Sequence, residues 1–196
     1  MSEPVDKRLF EELSLRAPHE VALSSHCEYD PADKCYRVKA WRGEYLVFPH
    51  TAEIRASGGT PEAHNYFYVF LVNYLLSAKI AEPTGEWLSV NDLVGGVTFF
   101  RGPHEIPTAL ITEAFNNDIE ALQKRCVELG GTSLDMADVS FSFEVIGSLR
   151  MALLYWVGDE DFPPEAKLLL DKTVADTLKL DVVYGLLCDA CVRIAA

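Results

Sequence analysis

Arg101 and His104 are the side chains whose types and setting point first to chemistry. They stand in Gly95-Gly96-Val97-Thr98-Phe99-Phe100-Arg101-Gly102-Pro103-His104, a turn-rich stretch with two adjacent glycines and two adjacent aromatics. A guanidinium offers paired N–H donors that match a carboxylate or a phosphate, so Arg101 is a candidate anion clamp. Imidazole titrates near neutrality, which makes His104 a candidate metal or cofactor ligand or proton carrier. Phe99 and Phe100 could stack on a planar ligand. Pro103 fixes its own φ and biases Gly102 away from helix, so both polar side chains are expected on a constrained loop. The alternative is a structural loop, with Phe99 in the core, Arg101 paired to one of many acids and His104 hydrogen-bonded.

Asp159-Glu160-Asp161 is the second candidate. Three carboxylates could hold a hard cation such as Mg²⁺ or Ca²⁺, and Asp159 could instead support Arg101. Trp156, with the Thr84-Gly85-Glu86-Trp87 stretch, could line a pocket, or serve core packing; Glu160 is a candidate ligand-binding residue. Cys188-Asp189-Ala190-Cys191 puts two thiols three apart on one helix face, but structural zinc needs two more ligands and the other cysteines lack matching spacing. Buried, inert thiols are the expectation. His19, His26, His50 and His64 are scattered and read as surface or capping residues. Nucleophile elbow, P-loop, dinucleotide fingerprint and HExxH patterns are absent from the sequence.

The elements that must position these residues follow from periodicity. Pro4 to Arg16 and Glu20 to Ser25 read as helices. Tyr36 to Trp41 alternates, Arg42-Gly43 is the expected turn, and Glu44 to Phe48 returns, with Glu53 to Arg55 as a third strand. Ser57 to Pro61 is a loop. Pro61 to Ala81 reads as the most buried helix, and Ser89 caps a turn over Val90 to Leu93. Pro107 to Gly130 holds two helices. Val139 to Val145 has a period of two, and Met151 to Val157 reads as a central strand. Lys167 to Leu170 suits a strand or a turn of helix; Thr173 to Leu178 and Leu180 to Ile194 suit helices. The order implies an α+β fold, a mainly antiparallel sheet with helices packed against it, in a single domain.

The chain has 196 residues and a net charge of −13 from 17 basic and 30 acidic side chains. That balance argues against nucleic acid and anionic membrane as partners. The apolar run from Tyr66 to Ala78 falls short of the roughly 20 residues that span a bilayer. The start, Met1-Ser2-Glu3-Pro4-Val5-Asp6-Lys7, does not read as a secretory signal, and five cysteines suit a reduced, cytoplasmic setting.

Three stretches together resemble the family catalogued as domain of unknown function 3786. They are Leu75-Leu76 through Thr84-Gly85-Glu86-Trp87, the Gly95–His104 stretch, and Tyr155-Trp156-Val157-Gly158-Asp159-Glu160-Asp161-Phe162-Pro163-Pro164 followed by Leu170-Asp171 and Leu180-Asp181. The resemblance runs over residues 28–196, after a helical segment at 1–27. It implies an anaerobic, cytoplasmic setting near corrinoid or iron–sulfur metabolism, and no established activity. Some members carry an iron–sulfur module in front of this domain; this sequence has no four-cysteine motif there. The expectation is a binding protein for a small ligand or metal-containing cofactor (corrinoid, haem or a divalent metal), with His104 as the metal ligand and a pocket between the Gly95–His104 loop and the Asp159–Pro163 turn. Two alternatives stand beside it. One is an accessory interaction module for an iron–sulfur or corrinoid enzyme. The other is a metal-assisted hydrolase or transferase, which requires Asp159, Glu160 and His104 to converge.

Overall fold

Capping and alternation account for most of the first half of the chain. The computed structural model describes residues 5–60, 63–79 and 82–196, the Asp176 side chain excepted. The expected helix start at Pro4, the loop and helix boundary at Pro61 and the helix end at Ala81 lie outside those residues. Asp6 caps α1 (Lys7–Ser14) by accepting from the Arg8 N–H, and Phe10 and Leu13 bury its inner face. A proline at the first position, whose missing N–H is no loss there, opens α2 (Pro18–Ser24). The short strand β1 (Glu28–Asp30) then pairs with β2 (Cys35–Ala40), which pairs with β3 (Gly43–Phe48).

Ala40 lies opposite Gly43, so the turn is Trp41-Arg42 and not the expected Arg42-Gly43. The Trp41 indole is drawn into the core, 6% exposed, which sets the turn one residue earlier. β4 (Glu53–Ser57) completes this half of the sheet. His64 caps α3 (Asn65–Ser77), whose Phe67, Phe70, Leu71 and Val72 are fully buried. β5 (Trp87–Leu88) follows, then a 3-10 turn over Val90–Asp92 closed by reciprocal Ser89 and Asp92 bonds, as its sequence predicts.

The Gly95–His104 stretch is more helical than its glycines and proline suggest. It forms α4 (Gly96–Phe99) and a 3-10 turn over Gly102–His104. A Cβ at Gly96 would overlap the Val90 carbonyl oxygen. Gly96→Ala should therefore cost about 1–3 kcal/mol through overpacking against backbone, read as a lowered denaturant midpoint; an unchanged midpoint would contradict the packing. After α5 (Ala109–Phe115) and α6 (Ile119–Glu128) come β6 (Thr132–Ser133), β7 (Val139–Ile146), β8 (Leu149–Trp156) and β9 (Glu165–Asp171). The final helix is α7 (Leu180–Ala195).

The sheet order is β4-β3-β2-β7-β8-β9-β5, with β1 beside β2 and β6 beside β7, all antiparallel. The main core joins strand residues such as Tyr45, Phe143, Met151 and Leu170 to α3 and to Val183, Leu186 and Ile194 of α7. A smaller cluster, Ala152, Leu154 and Leu169, is packed by Trp87, Leu134, Ala137 and Trp156. Among the described residues, no helix is long and apolar enough to cross a membrane. The sheet is weakest at one junction. β2 meets β7 at the single pair Ala40–Ile146, reinforced by the Trp41 N–H bonding the Val145 carbonyl at 3.0 Å. The β7–β8 register slips beside it, between Glu144 and Ile146. The two halves of the sheet are thus joined at one corner, and a cleft opens there.

Candidate functional site

The side chains singled out by sequence are engaged mostly in holding the fold. His104 stacks on Phe99, centroids 4.5 Å apart and planes 17° from parallel, and meets Tyr184 edge-on at 5.4 Å. The Tyr184 hydroxyl donates to the Pro103 carbonyl at 3.2 Å. Phe100 is buried, Phe99 half-buried, and Arg101 exposed without an ion pair among the described residues. Asp159 folds its own turn: its Oδ1 accepts from the Asp161 and Phe162 N–H groups, each at 2.8 Å. Glu160 is exposed in that turn, and Trp156 packs on the small cluster.

No hydrogen bond, ion pair or ring contact joins Arg101 or His104 to Asp159 or Glu160 among the described residues. Among the described residues, no three His, Cys, Asp or Glu side chains gather to hold a metal ion. One face of the His104 ring is covered by Phe99. Cys188 and Cys191 are buried; burial pushes the Cys188 thiol up and the Cys191 thiol up to about 12. Both are buried, as the sequence suggests, and burial favours the protonated form.

The cleft lies elsewhere, around the Trp41-Arg42 turn. Both residues have positive φ, 50° and 65°, the type I′ geometry that two-residue hairpins favour and that Asn-Gly usually fills. A bulky residue held there costs on the order of 1–3 kcal/mol. Two anchors hold it. The Trp41 ring packs on Phe143 at 5.7 Å. The Arg42 methylenes cross Gly130, where a Cβ would lie 2.8 Å from Arg42 Cδ. Gly130 follows the C-terminus of α6, the negative end of the helix dipole, which favours a nearby cation.

Three abutting cavities share Arg42 as a wall. One of about 550 Å³ lies at the corner of the sheet, lined by Lys39, Glu144 and the Ile146-Gly147 end of β7. A second, about 350 Å³, runs between Lys39, Glu44 and Gly58. The third, about 290 Å³, holds Arg42, Arg125 and Arg193 together with Gly58, Gly59 and Thr60. Lys39, Arg42, Arg125 and Arg193 are four of only 17 basic residues in a chain of charge −13, so cation is concentrated here against the overall balance. Glu144 is taken up by Arg150 at 2.6 Å, and Glu44 lies 4.0 Å from Arg37.

Beneath the cleft, Arg193 is fixed by Asp189 and Tyr45. Its Nε donates to Asp189 Oδ2 at 2.6 Å and its Nη2 to the Tyr45 hydroxyl at 3.1 Å. Its guanidinium lies 4.8 Å over the Phe67 ring and 5.8 Å from that of Trp41. Asp189 is fully buried. Burial pushes its carboxyl above the usual range, against the pull of Arg193. Among the described residues, Trp41 Nε1 and Asp189 Oδ1 are buried side-chain atoms without a hydrogen-bond partner.

A family model described as Domain of unknown function (DUF3786) matches residues 17–192. The chain belongs to the DUF3786 family. Comparison with curated proteins and with solved structures gave no match. The match takes in most of what shapes the cleft but ends one residue before Arg193, and it begins before residue 28, inside the N-terminal helical segment. The stretches that carry the DUF3786 resemblance meet one another in space. Asp171 accepts from Thr84 and Gly85, Gly95 packs on Leu180, and Tyr184 bonds Pro103. The Tyr155 hydroxyl donates to the Asn116 carbonyl. Sequence reasoning missed Trp41, Asp189 and Arg193 as a group. Two signals were available: a Trp-Arg pair at a two-residue hairpin turn, and an acid four residues before an arginine in an apolar helix.

Proposed function

We propose that this domain binds a small anionic molecule in the cleft around Arg42. One observation carries the reading: a strained type I′ turn displays an arginine, free of ion pairs among the described residues, where three cavities meet. Strain of this kind persists only where the surroundings enforce it, and it concentrates at ligand sites. Guanidinium groups select carboxylate and phosphate oxygens through paired N–H donors. The reading is binding rather than catalysis.

The test is thermal unfolding of the purified protein with inorganic phosphate, pyrophosphate, acetate and succinate. A probe present at a hundred times its Kd should stabilise the fold by about 2.7 kcal/mol. Arg42→Ala should weaken that probe at least tenfold and, because the Arg42 methylenes pack on Gly130, should also lower the unliganded unfolding temperature modestly, so affinity is the readout. Equal binding by Arg42→Ala would remove the cleft as the site.

A further inference from the structure

The cleft offers cations at two depths. Arg42 and Lys39 are exposed at its mouth and wall the two outer cavities. Arg193 and Arg125 wall the inner one, beside the Gly58-Gly59-Thr60 turn. The inner pair is held in place from below. Arg193 commits Nε to Asp189 and Nη2 to Tyr45, which leaves Nη1 without a bond among the described residues. Arg125 gives Nε and Nη2 to the Arg193 carbonyl at 3.0 and 2.5 Å, and its Nη1 lies 3.6 Å from Glu128, beyond hydrogen-bond distance. Each inner arginine therefore keeps donor capacity in a fixed orientation. Lys39 borders only the outer two cavities and Arg125 and Arg193 only the inner one, with Arg42 on all three.

Resting on the assignment of the cleft as an anion site, we propose that it takes a molecule with two acidic groups on a short spacer, one at Arg42 and Lys39 and the other at Arg193 and Arg125. Phosphate and carboxylate share the chemistry both positions require: planar or tetrahedral oxygen pairs that accept from a guanidinium fork. Asp189 acts as a positioning residue for the inner group by orienting Arg193. Tyr45 bonds Arg193 and also lines the inner cavity.

Isothermal titration of the full chain separates the cases, with inorganic phosphate against pyrophosphate and acetate against succinate. The expected result is a two-group probe binding at least tenfold more tightly than its one-group counterpart. The pair that shows the difference tells phosphate from carboxylate. Arg193→Lys, which keeps the charge but loses the fork, should erase most of that difference. Arg42→Ala should weaken both kinds of probe. Equal affinities for one-group and two-group probes would overturn the two-position proposal and leave the anion site standing. No binding by any probe would overturn the anion site itself. The wild-type comparison decides the matter even if Arg193→Lys fails to fold.

Discussion

Asp171→Ala should destabilise the protein by about 3 kcal/mol, measured by chemical denaturation at neutral pH. Asp171 ends β9 with its carboxylate fully buried, and every neighbour of that carboxylate is a donor. Oδ1 accepts from the Thr84 and Thr173 N–H groups at 3.2 and 3.0 Å and from the Thr173 hydroxyl at 2.9 Å; Oδ2 accepts from the Gly85 N–H at 2.8 Å. Hydrogen bonds to a charged group contribute about 1.5–3 kcal/mol each when broken singly. They are not additive, because Thr84 and Gly85 can turn to water once released. Asparagine should do little better than alanine, since its amide nitrogen would face another donor. Burial tends to raise this carboxyl, but the bonds from Thr173, Gly85 and Thr84 outweigh it and hold the pKa below the usual value. As pH falls, the unfolded chain takes up the proton first, near the ordinary carboxylate value of about 4. Stability from Asp171 is therefore complete above that pH and lost as pH falls through the folded value. The gap between wild type and Asp171→Ala should narrow below about pH 4. A gap that stays constant down to pH 2 would show that the carboxylate's charge is not what holds the 84–85 turn.

That network shows what in the sequence was legible and why. Thr84-Gly85 and Leu170-Asp171 stood out as motifs, but their coupling across 87 residues of chain becomes visible only when β5 pairs with β9. The alternation of Tyr36 to Phe48 and of Val139 to Val145 marked half-buried strands, because a period of two survives wherever one face is covered. Lys167 to Leu170 stayed open between strand and helix, since an apolar run flanked on both sides by partners has no period to read. Pairing with β8 and β5 makes it a strand. β1, β5 and β6 are two or three residues long and exist only through their neighbours. At the level of the site, local composition pointed to the Gly95–His104 stretch, where Gly96 serves tight packing against Val90, Gly95 and Gly102 take left-handed backbone, and the Pro103 carbonyl accepts from Tyr184. The cleft is built by residues far apart in sequence, Trp41 and Arg42 against Arg125 and Arg193. Asp189 sat in plain view between the two cysteines of a motif whose thiols turn out to be buried.

Arg193→Met should cost about 3–5 kcal/mol at neutral pH, the range for breaking a buried ion pair from one side. Methionine keeps helix propensity and much of the contact with the Phe67 and Trp41 rings, so the loss isolates the charge. It strands the fully buried Asp189 carboxylate and removes the donor to Tyr45. The pH signature is opposite to that of Asp171. Burial already pushes the Asp189 carboxyl up with Arg193 pulling it back, and without Arg193 it should rise further. A carboxyl raised in the folded state takes up its proton before the unfolded chain does. Its stabilising effect is complete below the unfolded value of about 4 and is lost as pH rises through the folded value. Denaturation at pH 7 and at pH 5 should therefore show the variant recovering part of its stability at the lower pH, while wild type changes less. Adding Asp189→Asn to Arg193→Met should recover part of it at pH 7 as well, because the double variant buries no unpaired charge. If Arg193→Met matches wild type at pH 7, the Asp189–Arg193 pair does not hold α7 against the hairpin. The strained Trp41-Arg42 turn would then have to be kept in place by ring packing and Gly130 alone.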